Sequence, residues 1–453
     1  MSVQRSPSGR SFMTKLFKII TLGCKVNQYE SAYIEGSLIK AGWHPVAMGG
    51  RADINIVNTC IVTQRASYQS RQAIRKAIRE NPSGKTAAIG CYAQVFPGEL
   101  SQISGLDMIV GNTKKAQLPD ILMNSIDAER PYLVSEDFRS DMPFQFLPIK
   151  GFSNRTRAFL KIQDGCQSFC SYCIVPFARG HLRSLDPSKV ISMLKTLSIE
   201  GYGEVVLTGI HLGRYGVDLN HGVDLKGLID LIGKEELPIR IRLSSLEPNE
   251  IDEEMMDRMA SKKWLCRHFH IPLQSGDDGV LKKMNRDYTA GKFARLIEGI
   301  HQRIPLAAMG VDIMTGFPGE DTRAYQNSYS LIDDLPVSYL HVFPFSSREG
   351  TPAAGFENKV NEKVIKDRAR ELRELDKKKR QAFYQSCLGK DFFVLAEGWQ
   401  SEEKKMIKGL SDNYLNVIFP SSLLIKNRMV SIRIEDLSHY GVLGRLIRDE
   451  GME

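Results

Sequence analysis

The chain has 453 residues, more than one domain of typical size, so two or three domains are expected. Hydrophobic residues make up 42% and charged residues 25%, values near globular averages that exclude collagen-like, coiled-coil and wholly disordered proteins. The formal charge of +8 permits a polyanionic partner without establishing one. No apolar run approaches the roughly 20 residues that cross a bilayer, so we expect no membrane association and a cytoplasmic location. The serine- and arginine-rich start, MSVQRSPSGRSFMTK, is expected to lie outside the folded domains.

The first predicted domain spans residues 15–120 and alternates strands with helices. The strand candidates are FKIITLGC, ADINIVNTC and TAAIGC, and the helix candidates are SAYIEGSLIKAG and YQSRQAIRKAIRE. This order predicts a small doubly wound α/β domain. Each strand candidate ends in a cysteine, namely Cys24, Cys60 and Cys91. Because the carboxyl ends of parallel strands lie at one edge of a sheet, the three thiols should converge there, although isolated buried cysteines are commonly inert.

A second βα pattern follows a predicted linker at residues 121–154. Between residues 155 and 385 there are six strand candidates: AFLKIQDG, GEVVLTG, IRIRLSS, RHFHIPLQ, GVDIMTG and SYLHVFPF. Helical segments separate them, which predicts a partial or complete parallel barrel with chemistry at the carboxyl ends of the strands; an open six-unit sheet is the alternative.

The last pattern covers residues 386–450. A charged helix, NEKVIKDRARELRELDKKKRQAFYQSCLG, leads into five short strand candidates, which predict a small all-β barrel. Its 9 Lys and Arg against 10 Asp and Glu from Lys390 onward give no basic surplus for gripping RNA. RNA contact would then be confined to a few basic side chains: Lys404, Lys405, Lys408, Lys426 and Arg428.

Three cysteines are clustered just after the first strand of the middle domain. Cys166, Cys170 and Cys173 have C-x3-C-x2-C spacing within one loop. Zinc sites usually combine a C-x2-C pair with a second, distant pair, whereas three thiolates in one loop suit an iron–sulfur cluster with one open iron. A zinc knuckle or coincidence remains the alternative.

This spacing, with Tyr172 before the last cysteine, resembles the radical S-adenosylmethionine signature. The flanking IVPFARGHLRS, with Arg179, Gly180 and Arg183, is similar to the methylthiotransferases. TLGCKVNQYES and LTGIHLGRYG look most like the branch that modifies N6-threonylcarbamoyladenosine in tRNA, since the isopentenyl-adenosine branch usually has GCQMN where this chain has GCKVN. The resemblance covers nearly the whole chain after Lys15.

The resemblance implies a radical barrel between an amino-terminal cysteine domain and an RNA-binding β-barrel called TRAM. Cys166, Cys170 and Cys173 would bind the [4Fe-4S] cluster that holds S-adenosylmethionine, and Cys24, Cys60 and Cys91 would bind an auxiliary [4Fe-4S] cluster. One S-adenosylmethionine would give the radical and another the methyl group. Replacing an unactivated aromatic C–H bond by C–S requires such cofactor chemistry.

Further residues are carried over from this resemblance. Those expected to end strands at the barrel mouth and contact the cosubstrate, together with Tyr172, are Thr208, Gly209, Ser244, Gln274, Asp312 and Gly316. Arg179 and Arg183 are expected to hold phosphate or carboxylate, with solvated loop arginines as the simpler interpretation. His268 and His270 alternate on one strand face but show no third partner, so they are interpreted as structural, and Cys266 and Cys387 as packing residues.

The leading hypothesis is therefore a tRNA methylthiotransferase that makes the 2-methylthio derivative of N6-threonylcarbamoyladenosine. Its partners would be tRNA, a flavodoxin- or ferredoxin-type electron donor and a sulfur source. The alternatives are methylthiolation of isopentenyl-adenosine or of a ribosomal protein, and, from another class, a noncatalytic RNA-binding protein with structural metal. The basic helix between Arg65 and Lys85 favours tRNA.

Overall fold

The computed structural model describes residues 15–47, 49–124, 131–153 and 155–449. The predicted start segment falls almost wholly outside the described residues. The chain divides into two compact units, one formed by the chain up to Ile61 with Arg65–Asp137, the other by Val62–Gln64 with Phe138–Glu453. Within the described ranges, no helix has both the length and the apolar character needed to cross a membrane.

The first unit is built on a parallel sheet of six strands in the order β2-β1-β3-β4-β5-β6. The strands are β1 (Leu16–Thr21), β2 (His44–Pro45), β3 (Ile54–Thr59), β4 (Lys85–Gly90), β5 (Met108–Val110) and β6 (Tyr132–Val134). The helices are α1 (Lys25–Lys40), α2 (Gln64–Glu80), α3 (Cys91–Val95), α4 (Pro97–Ser101) and α5 (Leu118–Asn124). The predicted doubly wound α/β class is confirmed.

The predicted linker is wrong in one part. Tyr132–Val134 pairs in parallel with Met108–Val110 as the edge strand of this sheet, so the first unit extends to Asp137. A three-residue edge strand is too short to give a periodic pattern, and its partner strand supplies the hydrogen bonds that hold it.

The second unit begins with a half-open parallel barrel. Its strands are β7 (Arg157–Lys161), β8 (Gln163–Asp164), β9 (Arg183–Ser184), β10 (Glu204–Thr208), β11 (Arg240–Leu243), β12 (His268–Gln274), β13 (Ala308–Thr315) and β14 (Tyr339–Pro344). They form the sheets β7-β10-β11 and β12-β13-β14, and an Ile241–Leu265 bridge extends the first sheet toward the second. The six predicted strands are all present, with β8 and β9 as an added two-stranded ribbon.

Helices follow the barrel strands in turn. They are α6 (Val175–Arg179), α7 (Pro187–Ile199), α8 (Leu225–Gly233), α9 (Glu253–Ser261), α10 (Asp278–Lys283), α11 (Ala290–Arg303) and α12 (Thr322–Asp334). Aspartate or threonine caps begin most of them; the Asp186 side chain, for example, accepts from the Ser188 N–H at the start of α7.

The carboxyl-terminal part forms a closed five-stranded barrel, as predicted. The long helix α13 (Glu362–Ser386) precedes β15 (Asp391–Ser401), β16 (Met406–Ser411), β17 (Asn416–Pro420), β18 (Met429–Ser438) and β19 (Gly441–Asp449). Alternate residues of each strand fill an apolar core that includes Val394, Ile407 and Val417.

This small barrel covers the amino ends of the large-barrel strands. Arg240 and Arg242 donate to the backbone carbonyls of Leu410 and Ser411 at 2.7 and 2.9 Å. Both arginines also bind Glu204, which is wholly buried. The carboxyl ends of the large-barrel strands are therefore the ends left open for chemistry.

Candidate active site

The three clustered cysteines lie in the loop that leaves β8 at the carboxyl edge of the large barrel. Gly165 opens this loop with a φ of +77°, and a Cβ there would meet the His181 carbonyl oxygen at 1.7 Å, so only glycine fits. Asn285 donates to the carbonyls of Ser168 and Phe169 at 3.0 and 3.1 Å. The cysteine loop is thus held from a different βα unit of the barrel.

The thiols of this loop are close enough to influence one another. Burial, together with the negative charges of Cys170 and Cys166, raises the pKa of the Cys173 thiol to about 12. Burial also raises the pKa of Cys166, but the 3.6 Å contact with His211 outweighs it and leaves that pKa lowered. A bound metal ion deprotonates a coordinating thiol outright, so three converging thiols in one buried loop fit a metal cluster.

A pocket of about 450 Å³ opens beside this loop. On one side His211 pairs through Nε2 with Glu250 at 2.7 Å, and these contacts raise the His211 pKa to about 10 although burial lowers it. On the other side Arg286 lies 3.3 Å from Cys170 Sγ and forms an ion pair with Glu247. Two cations therefore flank the thiols, where they offset the negative charge of a thiolate-bound cluster.

The two predicted loop arginines are not solvated, so that interpretation is wrong. Arg179 is 1% exposed and lies 3.6 Å from the Asp164 carboxylate, which also binds Lys161 at 2.9 Å. Arg183 is 8% exposed, packs over the Phe138 ring and donates to the Arg179 carbonyl. In this position the guanidinium groups brace the cysteine loop.

Five of the residues predicted at the barrel mouth lie at or just after the carboxyl ends of barrel strands. Thr208 and Gln274 are the last residues of β10 and β12, Gln274 with a φ of +63°, and Ser244 follows β11 directly. Gly209 sits against Gln163 where a Cβ would meet its side chain at 2.8 Å, and Gly316 has a φ of +82° just after β13. These five residues lie at the open ends of the strands, and their contact with a cosubstrate stays a prediction.

Asp312 does not end its strand, which corrects the predicted position. It is the fifth residue of β13, and its Oδ1 lies 2.7 Å from His270 Nε2 and 3.1 Å from His341 Nδ1. The strand ends at Thr315 because its pairing with β14 continues to Pro344. Tyr172 packs edge-to-face against Phe317, and its contact with a cosubstrate, like that of Asp312, stays a prediction.

The amino-terminal cysteines follow three adjacent strands of the first unit. Cys24 comes after β1 and caps α1, Cys60 follows β3, and Cys91 begins α3 directly after β4. Bonds between the loops hold the edge together: the Asn27 amide donates to the Thr59 carbonyl at 3.0 Å, and Asn112 donates to Cys91 Sγ at 3.4 Å.

Two glycines allow these loops to approach one another. Gly23 has a φ of +91°, and a Cβ there would meet Cys60 Sγ at 2.8 Å. Gly90 has a φ of +96°, and a Cβ there would meet the side chain of Asn58 at 2.6 Å. Glycine is required at both positions by conformation and by space, so the three cysteines meet at one edge.

Several residues at the first thiol loop escaped sequence reasoning. Glu247 and Glu250 form a capping box in LEPNE, and Arg286 lies in MNRDY beyond α10. The capping-box spacing was a usable signal for Glu247, but nothing in the order of residues brings Arg286 to a cysteine 116 positions away.

Comparison with known proteins supports this arrangement. Residues 16–111 match a model described as the uncharacterized protein family UPF0004, and residues 160–332 match the radical SAM superfamily. A protein of Aquifex aeolicus named threonylcarbamoyladenosine tRNA methylthiotransferase MtaB is 38% identical over 398 residues, 88% of this chain and 95% of that protein. A Bacillus subtilis protein of the same name is 36% identical, covering 95% of this chain and 96% of that one.

Other similar proteins have a different named substrate or share only the fold. A Dictyoglomus thermophilum protein named tRNA-2-methylthio-N(6)-dimethylallyladenosine synthase is 32% identical, covering 96% of this chain and 99% of that one. Among solved structures, the radical S-adenosylmethionine methyltransferase TsrM of Kitasatospora setae, with cobalamin and a [4Fe-4S] cluster bound, has a TM-score of 0.54 and 16% identity. That similarity covers 75% of this chain and 77% of TsrM and supports the fold alone.

Proposed function

Because this chain belongs to the radical S-adenosylmethionine methylthiotransferase family, we propose that it converts N6-threonylcarbamoyladenosine beside the tRNA anticodon to the 2-methylthio derivative. The observation that carries the proposal is the pair of three-cysteine groups, one after adjacent parallel strands of the first unit and one in the loop that follows β7 and β8. The family implies a [4Fe-4S] cluster and S-adenosylmethionine. The second, auxiliary cluster at Cys24, Cys60 and Cys91 belongs to the proposal.

The residues of the cysteine loop fit the first cluster. Cys166, Cys170 and Cys173 would hold the cluster beside the pocket lined by His211 and Arg286. When bound, such a cluster supplies the electron for reductive cleavage of S-adenosylmethionine. Polar groups at the strand ends would orient the cosubstrate. Contact of Thr208, Gly209, Ser244, Gln274 and Gly316 with the cosubstrate is part of this proposal.

The choice of the threonylcarbamoyladenosine branch is supported by the similar proteins of that name. The GCKVN sequence at Cys24 points the same way. The tRNA is the proposed macromolecular partner, and a flavodoxin- or ferredoxin-type donor and a sulfur source complete the reaction.

The test is single-turnover methylthiolation by the anaerobically reconstituted enzyme. Three substrates are compared: tRNA carrying threonylcarbamoyladenosine, tRNA carrying isopentenyl-adenosine, and a ribosomal protein. We expect 2-methylthio product on the first tRNA only. Preference for isopentenyl-adenosine would contradict the branch, and turnover of the ribosomal protein alone would contradict the tRNA substrate. A colourless protein with zinc would leave only a metal-stabilised RNA-binding protein.

A further inference from the structure

Three polar side chains meet in the large barrel on three adjacent strands. His270 on β12, Asp312 on β13 and His341 on β14 have ligating atoms within 4.8 Å of one another. We call this group the His–Asp–His trio. Alternate residues of a strand face the same side, so the polar positions of these strands share the barrel interior.

The trio has a defined internal order. Asp312 Oδ1 accepts from both imidazoles, at 2.7 Å from His270 Nε2 and 3.1 Å from His341 Nδ1. The other nitrogen of His270 lies 2.9 Å from the Ser245 hydroxyl. Both nitrogens of His270 are therefore engaged, whereas Asp312 engages only the Nδ1 of His341. The Nε2 of His341 is the nitrogen on which a ligand could form a bond.

His341 is the most exposed member of the trio. Its side chain is 44% exposed, against 14% for His270 and 17% for Asp312. Toward the small barrel, Tyr414 stacks on His268 with ring centroids 4.3 Å apart, and Tyr339 lies 5.8 Å from Tyr414. His341 is therefore the member of the trio that a ligand can reach most easily.

The depth of the trio suits the substituent of an extruded base. Asp312 precedes the end of its strand by three residues, about 10 Å at the usual rise per residue. A nucleobase must leave the helical stack to meet a buried reaction centre. If C2 of the adenine lies at the cysteine loop near the strand ends, a long substituent on N6 would extend along the strands toward the trio.

The chemistry of the trio selects the nature of that substituent. Both nitrogens of a histidine donate only in the imidazolium form, so a His341 that keeps its Nδ1–H bond to Asp312 would in that form donate its Nε2–H to an incoming carboxylate as a charge-assisted hydrogen bond. A threonylcarbamoyl group carries a carboxylate, a hydroxyl and two amide N–H groups. A dimethylallyl group carries none of these and would cover the trio without replacing the lost hydrogen bonds to water.

We propose that the His–Asp–His trio binds the threonyl carboxylate of N6-threonylcarbamoyladenosine through His341. This inference rests on the proposed function and names the part of the site that reads its substrate. His270, Asp312 and Ser245 are positioning residues: they fix the ring of His341 through its Nδ1. We expect such a subsite to discriminate strongly between polar and apolar substituents, because an apolar substituent would cover polar groups and leave them unpaired.

The test uses two RNA stem-loops that differ in one charge. One carries threonylcarbamoyladenosine and the other its methyl ester, and the full-length reconstituted enzyme methylthiolates each in a single turnover. The wild type is expected to prefer the free acid by roughly ten- to a hundredfold, the value of one hydrogen bond to a charged group. His341→Phe should bring the ratio close to one. Because the readout is a ratio of two RNAs, general loss of activity cancels.

Two further variants sharpen the test. His341→Gln retains polarity without a cation and should keep a smaller preference, which serves if His341→Phe fails to fold. His301→Phe makes the same change on the exposed face of α11 and should keep the wild-type ratio.

The outcomes separate this inference from the proposed function. A wild-type ratio in both His341 variants, or equal turnover of acid and ester by the wild type, would overturn the inference and leave the function intact. No product from either RNA, with S-adenosylmethionine still cleaved, would overturn both. One zinc ion per chain that is lost in His341→Phe, with the preference for the acid unchanged, would identify a metal site instead and also overturn the inference.

Discussion

Surroundings, rather than residue type, distinguish the proposed ligand cysteines from the other two. Cys387 is wholly buried in the apolar core of the small barrel, and Cys266 is 1% exposed. Cys170 instead lines the pocket beside the cysteine loop, 3.3 Å from Arg286, and Cys166 lies 3.6 Å from His211.

The first prediction concerns one ligand of the proposed cosubstrate cluster. Cys170→Ala removes one of three thiolates in the loop, so we expect loss of the cluster and of 5′-deoxyadenosine release. Cys387→Ala, also a buried cysteine, should retain both. The measurement is 5′-deoxyadenosine formed from S-adenosylmethionine under reducing, anaerobic conditions. Undiminished release by Cys170→Ala would remove Cys170 from the site.

The second prediction concerns the auxiliary site through a residue that is not a ligand. Gly90→Ala places a methyl group against Asn58 and the Thr59 backbone at a φ of +96°, so Cys91 should move and roughly half of the iron should be lost. Cleavage of S-adenosylmethionine should persist while the methylthio product disappears. Gly36→Ala, in α1 with open space around it, is the matched control and should keep full iron. Full iron content in Gly90→Ala would show that these cysteines only pack.

At the scale of elements, a buried charge network links three large-barrel strands to the small barrel. Glu204 accepts from Arg240 at 2.7 Å and from Arg242 at 2.8 Å, and all three side chains are at most 6% exposed. Arg267 adds a 2.7 Å ion pair with Asp412 of the small barrel. A buried charge that keeps all its partners is tolerated, whereas removal of one partner leaves the others uncompensated.

The third prediction follows from this network. Glu204→Gln leaves buried guanidinium groups without their carboxylate and should destabilise the second unit by about 3–5 kcal/mol. Glu374→Gln removes only a surface pair with Lys377 and should cost at most about 1 kcal/mol. Thermal unfolding midpoints of the two variants provide the comparison, and equal midpoints would contradict a structural role for Glu204.

The fourth prediction is the pH dependence of the same network. Burial alone would raise the Glu204 pKa, but Arg242, Arg240 and Arg157 hold it well below its usual range. Because the folded-state pKa is lower than the unfolded value of about 4.3, the stabilisation is complete above that value and is lost as the pH falls below it. Wild type should therefore lose more stability between about pH 5 and pH 2 than Glu204→Gln, measured by unfolding midpoints at each pH.

At the scale of the whole molecule, one face of the small barrel packs against the large barrel and the rest of its surface is exposed. Its loop at residues 411–414 closes the floor of the large barrel, so truncation before Lys390 would uncover Arg240 and Arg242 as well as remove any RNA contact. Its exposed basic side chains, among them Lys404 and Lys405 in the turn after β15, are the better place to test RNA binding.

The fifth prediction addresses that surface. Replacement of both Lys404 and Lys405 by Glu should weaken tRNA binding and reduce the slope of log affinity against log salt by about 2, if each contacts one phosphate. Lys366→Glu on the exposed face of α13 is the control for a change of net charge. The measurement is the tRNA affinity at several salt concentrations. An unchanged slope would show that Lys404 and Lys405 do not contact the RNA.

Sequence alone determined the fold classes and the two groups of three cysteines proposed as ligands, because apolar periodicity marks strands and helices and because C-x3-C-x2-C is a local pattern. It also brought Cys24, Cys60 and Cys91 to one edge, since parallel strands share their carboxyl ends. Tertiary structure alone decided the rest. It buried Arg179 and Arg183, placed Arg286 beside Cys170, and joined His270 to Asp312 and His341. These contacts depend on strand register and on side-chain packing between distant segments, and neither is encoded in the spacing of residues along the chain.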